Sequence, residues 1–226
     1  MKLTTALSVP LLTTAIQAGK YPSTDTYFSA PDYPGNCPKV TPSKNYQFEP
    51  SLGLWWNVAI SPFFWHFRDS TCAAIEVKDH EDREGYVRIR GTAITPNGHR
   101  SIVNGLGITD DHGSERTTGY WSVSYFMEPK HFQDNWVVLD TDNDSYAYVW
   151  DCTEKKANKL SRAFGAEDTY SPVIWINVRD QNMSDEDINM HIDRFNQLMK
   201  NKFGWDRAEE FGETIFTIDC NDCERP

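Results

Sequence analysis

Short runs of apolar and β-branched residues, separated by turn-forming residues, recur along most of this chain. Strands are expected where apolar and polar positions alternate, and turns where Gly, Pro, Asn and Asp cluster between them. Eight such runs are Leu54–Ile60, Cys72–Lys78, Tyr86–Ile94, Ser101–Ile108, Thr118–Met127, Trp136–Leu139, Tyr146–Trp150 and Val173–Val178. Because most of the connections have hairpin length and no helical period, the runs predict an antiparallel barrel or sandwich.

One segment near the C-terminus has the period of an amphipathic helix. Ser184 is a favourable N-cap, and the three acidic residues after it suit the positive end of a helix. An apolar stripe follows at Ile188, Ile192, Phe195 and Met199. We therefore predict one C-terminal α-helix that ends near Phe203, followed by a short extra strand over Thr214–Ile218.

The first 18 residues have the pattern of a secretory signal peptide. Lys2 gives a basic start, residues 3–16 carry no charge, and Ile16-Gln17-Ala18 forms a candidate cleavage site. Pro10 disfavours the alternative of a buried N-terminal helix. Residues 19–36, rich in Pro, Ser, Tyr and Asp, are expected to form an extended arm, and residues 37–226 a single domain.

Charge and aromatic content narrow the range of partners. The formal net charge is −11 at pH 7 and no basic patch is visible, so nucleic acid is not an expected partner. We attribute the acidity to solubility. The chain contains 8 Trp, 10 Tyr and 12 Phe residues, and many of these rings require burial, either in a core or around a ligand.

Cysteines and glycosylation sequons are consistent with export. All five cysteines lie beyond residue 18, which suits an oxidising compartment, although their pairing does not follow from the sequence alone. The Cys220-Asn221-Asp222-Cys223 segment is not expected to hold a metal, because no second cysteine pair or histidine cluster accompanies it. Asn143-Asp144-Ser145 and Asn182-Met183-Ser184 are candidate glycosylation sites, although such triplets also arise by chance.

The spacing of several residues resembles the lipocalin family, and within it the apolipoprotein D-like branch. The residues that carry the resemblance are Cys37-Pro38, Gly53-Leu54-Trp55, Cys72, Thr141-Asp142, Tyr146 to Cys152, and Arg179. The resemblance implies an all-β fold: an eight-stranded antiparallel up-and-down barrel with one C-terminal α-helix and a short extra strand. It also implies two disulfides, Cys37–Cys152 and Cys72–Cys220. Cys223 would then be free, paired with another chain, or in competition with Cys220.

Four residues are implied by the resemblance to close one end of the barrel. Trp55 would seal the base, and Arg179 would lie across its outer face, in a cation–π contact worth roughly 0.5–2 kcal/mol. Gly53 would allow a tight start to the strand, and Asp142 would form the turn at the same end. The chain departs from the family pattern at Asn143, where tyrosine is usual, and in the long insertion at residues 153–171. These departures leave the identity of the ligand and the geometry of the barrel mouth undetermined.

Alternation along the strands predicts which side chains face the lumen. With Trp55 directed inward and Cys152 outward, the expected ligand-binding residues are Asn57, Ala59, Trp136, Val138, Ala147, Val149 and Trp175. Mostly apolar walls with a few polar groups are typical of small-molecule pockets. In the alternative, the rings fill the barrel and leave no cavity. No cofactor is expected beyond a bound lipid or chromophore.

Two segments are expected to flank the open end. The loop after the first strand carries Phe63, Phe64, Trp65 and Phe67, which either cover the ligand, contact a membrane transiently, or pack against neighbouring loops. The insertion carries Lys155, Lys156, Lys159 and Arg162, which either steer an acidic group toward the mouth or form a solvated face.

Three functions stay open at the level of the sequence. The favoured one is a secreted carrier of a fatty acid, sterol, retinoid, carotenoid or bilin. An enzyme on the same scaffold is disfavoured, because no Ser/His/Asp set or metal-ligand spacing is visible and Asp151 is the one carboxylate expected in the lumen. We therefore expect no catalytic residues and no metal. A secreted protein-interaction module is the third hypothesis.

Overall fold

The computed structural model describes residues 33–61, 69–109, 118–124, 134–163 and 165–226. The strands are β1 Tyr33–Pro34, β2 Gly53–Ile60, β3 Thr71–Asp79, β4 Tyr86–Ile94, β5 Arg100–Thr109, β6 Tyr120–Ser124, β7 Asp134–Thr141, β8 Tyr146–Lys155, β9 Thr169–Val178 and β10 Phe216–Thr217. The helices are α1 Phe48–Ser51, α2 Lys159–Ala163, α3 Asp185–Phe203 and α4 Ala208–Gly212. The predicted signal peptide, and Phe63, Phe64, Trp65 and Phe67 of the aromatic loop, lie outside the described residues.

Strands β2 to β9 form a closed antiparallel barrel. Each strand pairs with the next one in sequence, and β9 pairs back onto β2. Closure pairs the first strand of the barrel with the last, and the short strands β1 and β10 pair with the start of β9 and the end of β2. The eight-stranded up-and-down barrel is confirmed, with a second flanking strand and three short helices in addition to the predicted elements.

The predicted C-terminal helix is α3, which packs on the outer wall of the barrel. Its N-cap Ser184 accepts a hydrogen bond from the Asp187 backbone N–H at 3.1 Å, and Gly204, with φ of 66°, ends it. Its buried stripe includes Ile188 and Phe195. No helix in the described part of the chain is long and apolar enough to cross a membrane.

Two disulfides tie the terminal segments to the barrel. Cys37–Cys152 is confirmed, but the predicted Cys72–Cys220 pair is wrong, because Cys72 bonds to Cys223. The turn at Asn221-Asp222, where Asp222 has φ of 54°, brings Cys223 rather than Cys220 to Cys72. Cys220 is a buried free thiol 3.6 Å from the Ala73 carbonyl oxygen, and burial raises its pKa to about 12.

Candidate functional site

The base of the barrel is sealed by Trp55 and Arg179. The guanidinium carbon lies 3.6 Å from the centroid of the indole ring, and its nitrogens donate to the carbonyl oxygens of Pro50, Leu52 and Leu54. Gly53 has φ of 97°, and a Cβ there would lie 3.2 Å from Arg179 Nη1. Glycine is thus required both by the backbone conformation and by the space that the guanidinium occupies.

The turn between β7 and β8 is fixed by two side chains. Asp142 accepts hydrogen bonds from the backbone N–H of Asp144 and Ser145 at 3.0 and 2.8 Å, and also from the Ser145 hydroxyl. Although burial raises the pKa of the Asp142 carboxyl, the bonds from Ser145 hold that pKa well below its usual range. Asn143 donates to the Asn45 carbonyl at 2.6 Å and accepts from the Gln47 N–H at 2.9 Å. Asn143 therefore holds the N-terminal coil against the turn between β7 and β8.

A narrow cavity lies directly above this base. Four of the predicted ligand-binding residues line it, namely Trp136, Val138, Ala147 and Val149. Its volume is about 50 Å³, which is room for a few water molecules rather than the roughly 300–1,000 Å³ of pockets for drug-sized ligands. The rings therefore occupy most, but not all, of this part of the lumen.

The register of β2 against β9 settles the other three predicted positions. The cross-strand pairs are Asn57 with Asn177, Ala59 with Ile176, and Ile60 with Trp175. Asn177 lines the cavity, so Asn57 and Trp175 lie on the lumen face by pairing and alternation. Val58 is an extra residue that forms a β-bulge, and it shifts Ala59 to the outer face and Ile60 to the inner one. The lumen position predicted for Ala59 is therefore wrong.

Several cavity residues were missed by the sequence reasoning, among them Asn177, Trp121 and Tyr46. Asn177 lies two residues beyond Trp175, so strand alternation by itself indicates that it faces the lumen. Trp121 donates its indole N–H to the Tyr46 hydroxyl at 3.1 Å, and Tyr46 sits in the coil before α1, where strand periodicity gives no information. A Cβ on Gly107 would lie 3.2 Å from the Trp121 ring, so this glycine leaves room for the indole.

The cavity walls contain polar atoms, and none of the described side chains that line the cavity belongs to Asp, Glu, Lys, Arg or His. The Oδ1 atoms of Asn57 and Asn177 and the Nε1 atom of Trp136 are buried without a hydrogen-bond partner. Such atoms are rare in folded proteins, and each one calls for an explanation.

Solved structures provide a comparison for this barrel. Lobster apocrustacyanin A1 is 18% identical, with a TM-score of 0.59 over 84% of this chain and 92% of that one. Insecticyanin from the tobacco hornworm Manduca sexta is 16% identical, with a TM-score of 0.59 over 86% and 91%. H1 crustacyanin from the lobster Homarus americanus is 20% identical, with a TM-score of 0.55 over 84% and 91%. The chain has the lipocalin fold.

At these identities the comparison shows the lipocalin fold and no particular ligand. No known family profile matches the sequence, and a search of curated proteins found no match. The narrower resemblance to the apolipoprotein D-like branch stays a prediction.

The outer wall of the lipocalin barrel is packed against α3 and α4. Tyr148 OH is hydrogen-bonded to His191 Nδ1 at 2.8 Å, and the Trp150 ring meets Trp205 edge-on at 5.4 Å between centroids. Tyr148 and Trp150 therefore face outward, as alternation from Cys152 predicted.

The cations of the insertion after β8 take part in local ion pairs. Lys156 lies 2.8 Å from a Glu154 oxygen, and Arg162 lies 2.6 Å from an Asp168 oxygen. Lys156 also donates to the Asn36 side chain at 3.0 Å. Lys156 thus links the insertion to the N-terminal coil, and Arg162 joins two parts of the insertion itself. This pairing leaves less charge available for steering an acidic ligand. No cluster of three or more metal-ligating side chains occurs within the described ranges.

Proposed function

We propose that this protein is a secreted carrier that holds one small hydrophobic molecule in the barrel. The observation that carries the proposal is a lumen sealed at its base, walled by apolar side chains, and provided with buried polar atoms that have no partner. This combination is typical of pockets that bind apolar molecules with one or a few oriented polar groups. Sterols, retinoids, carotenoids, bilins and fatty acids are the candidate classes.

Secretion is supported by the cysteine chemistry and by the predicted signal peptide. Four of the five cysteines form disulfides, Cys37–Cys152 and Cys72–Cys223. Disulfides of this kind persist in oxidising compartments and are rare in the cytosol of mesophiles. A carrier exposed to the extracellular medium also benefits from terminal segments that are covalently fixed to the barrel.

The narrow cavity implies that the lumen widens when a ligand enters. Trp136 and Trp175 have ring centroids 5.3 Å apart and are inclined at 46° inside the barrel. Because Trp136 Nε1 has no partner, rotation of this ring breaks no hydrogen bond from its indole nitrogen. We therefore expect this side chain to move aside on binding.

The test is native mass spectrometry with an absorption spectrum on protein secreted by eukaryotic cells and purified without detergent. A lipid or chromophore present at one molecule per chain is the expected result. An empty protein that also fails to bind added sterols, fatty acids, retinoids, carotenoids and bilins would overturn the proposal.

Two variants locate the binding inside the barrel. Val149→Trp adds a large ring to the cavity wall and is expected to abolish binding. Ile102→Trp adds the same ring at an outer position that is 47% exposed, and is expected to leave affinity unchanged. Circular dichroism on both variants checks that the barrel has formed.

A further inference from the structure

We infer that the paired Asn57 and Asn177 side chains select a ligand whose deeply buried end carries a hydroxyl group, in preference to a carboxylate or a bare hydrocarbon. This inference rests on the proposed carrier function and adds the chemistry of the ligand. It also fixes the direction of binding, with the polar end at the base and the apolar body toward the mouth.

The two asparagines form one polar patch on the lumen wall. They are direct cross-strand partners in the β2–β9 pairing, and such partners project from the same face with Cβ atoms about 4.5–5.5 Å apart. Asn57 is 8% exposed and Asn177 is 6% exposed. Asn57 lies two residues along β2 from Trp55, so the patch is about 7 Å above the sealed base.

Both carboxamides have a buried oxygen that no protein group satisfies. Six buried side-chain polar atoms lack a partner among the described residues, and three of them belong to Asn57, Asn177 and Trp136 of the lumen wall. Removing an amide oxygen from water without replacing its hydrogen bond is unfavourable, so such atoms are normally paired. A group on the ligand would provide what the protein lacks.

The orphaned atoms specify the kind of group. An asparagine oxygen accepts a hydrogen bond, so the ligand group that satisfies it has to donate one. A hydroxyl group provides this donor. A carboxylate or a ketone only accepts, and a hydrocarbon does neither. The lumen therefore matches an alcohol better than a carbonyl compound or a carboxylate.

Charge inside the barrel also argues against a carboxylate. Within the part of the chain that the structure describes, no cation lines the cavity, and the nearby Arg179 lies on the outer side of Trp55, where its nitrogens donate to backbone carbonyls. An anionic ligand group would therefore be buried there without an opposite charge among the described residues.

The experiment compares ligands that share a skeleton and differ at one end. Retinol, retinal and retinoic acid carry a hydroxyl, an aldehyde and a carboxylate, and cholesterol and cholestane provide a second pair. Binding is followed by quenching of tryptophan fluorescence or by competition. Wild-type protein is expected to bind retinol at least tenfold more tightly than retinoic acid, with retinal between them, and cholesterol more tightly than cholestane.

The same measurements on Asn57→Leu and Asn177→Leu test the residues. Each substitution keeps the side-chain size and removes the polar atoms, so we expect the preference for the hydroxyl to shrink to about twofold while overall binding persists. Asn104→Leu, on the exposed side of β5, is the matched control and should keep the full preference. Removal of an orphaned buried oxygen should also leave the melting temperature of both lumen variants equal to or above that of wild type.

The possible failures are distinguishable. If wild-type protein binds these probes without regard to the end group, or if the leucine variants keep the preference, the inference is overturned and the carrier function stands. If mass spectrometry identifies a co-purified carboxylic acid, the inference is overturned in the same way. If no probe binds and no ligand co-purifies, the proposed function itself fails, and the inference with it.

Discussion

The two faces of strands β8 and β9 carry similar residues in contrasting environments. On the face toward α3, Trp150 is 2% exposed and the Tyr148 hydroxyl is hydrogen-bonded to His191. On the face toward the lumen, Asn177 borders a cavity, and its Oδ1 atom has no partner. The outer face is filled by packed rings, although the buried Tyr33 hydroxyl there also lacks a partner, whereas the inner face borders a cavity.

The outer face also shows how the helices contribute. Trp150 contacts Trp205 and Phe211 edge-on, and the Trp205 indole N–H donates to the Tyr170 hydroxyl at 2.9 Å. Edge-to-face contacts of this kind stabilise aromatic pairs beyond their buried area. We infer that most of the stability of the barrel wall resides on this side, which leaves the lumen side free to accept imperfect packing.

The largest expected effect is a difference in stability between substitutions of two tryptophans, one on each face of the barrel wall. Trp150→Ala removes a ring from a filled core and is expected to lower the free energy of unfolding by about 3–5 kcal/mol. Trp136→Ala removes a ring that already borders empty space, together with an unsatisfied N–H, so we expect a loss of about 1–2 kcal/mol. Urea unfolding measures both values. Equal losses would show that the inner face is as completely packed as the outer one.

A second pair of substitutions should have effects of opposite sign. Tyr148→Phe leaves the buried His191 Nδ1 without its partner and is expected to cost about 1–3 kcal/mol. Asn177→Leu replaces an unpartnered polar group with an apolar one of similar size, so the ligand-free protein should be stabilised, by about 1 kcal/mol. If Asn177→Leu destabilises the ligand-free protein as much as Tyr148→Phe does, the two faces do not differ in this respect.

The two glycosylation sequons lie in different environments, one at the base of the barrel and one on the outer surface. The Asn143 amide is committed to Asn45 and Gln47, whereas Asn182 is exposed. We expect Asn182→Gln to remove a glycan from protein secreted by eukaryotic cells. Asn143→Gln should leave the mass of the attached glycans unchanged and lower stability by about 1–2 kcal/mol through the loss of two hydrogen bonds. Intact-mass measurement and urea unfolding check the pair, and a lost glycan in Asn143→Gln would contradict it.

The smallest expected effect is a pH dependence confined to the outer face. Burial, and then the neighbouring Arg194 guanidinium, lower the pKa of His191, which Asp187 and Asp142 partly offset. The unfolded chain therefore takes up this proton at a higher pH than the folded protein does. Stability should fall as the pH drops below the ordinary histidine pKa of about 6.5, and level off below the folded value.

The control for this pH dependence is His191→Gln. The variant should lose the part of the pH dependence that arises from His191, as measured by urea unfolding between about pH 5 and 7.5. Ligand affinity should stay constant over the same range, because no carboxylate or histidine of the described segments lines the cavity. Affinity that falls with acid in parallel with stability would show that the two faces are coupled.

Much of the barrel could be predicted because β-strand alternation is strict over uninterrupted strands. It placed Ala147 and Val149 inside and Tyr148 and Trp150 outside, as the register and contacts show. It failed at Ala59, because the bulge at Val58 inserts a residue that composition does not reveal.

The disulfide error has a different cause. Cys220 and Cys223 are close enough in sequence for either to reach Cys72, and the choice depends on the turn between them. The orphaned atoms of the lumen could not be predicted from the sequence either. Whether a buried asparagine has a partner depends on the positions of side chains from several strands, which no local pattern encodes.

The buried thiol of Cys220 can serve as a labelling probe for the motion of the C-terminal segment. It is the one cysteine outside a disulfide, it is 2% exposed, and burial raises its pKa to about 12. A thiol reagent can therefore modify the native protein only during the moments when this segment detaches from β2 and β3. The labelling rate, compared with that of a free thiol, reports how often the segment opens and whether a bound ligand slows that opening.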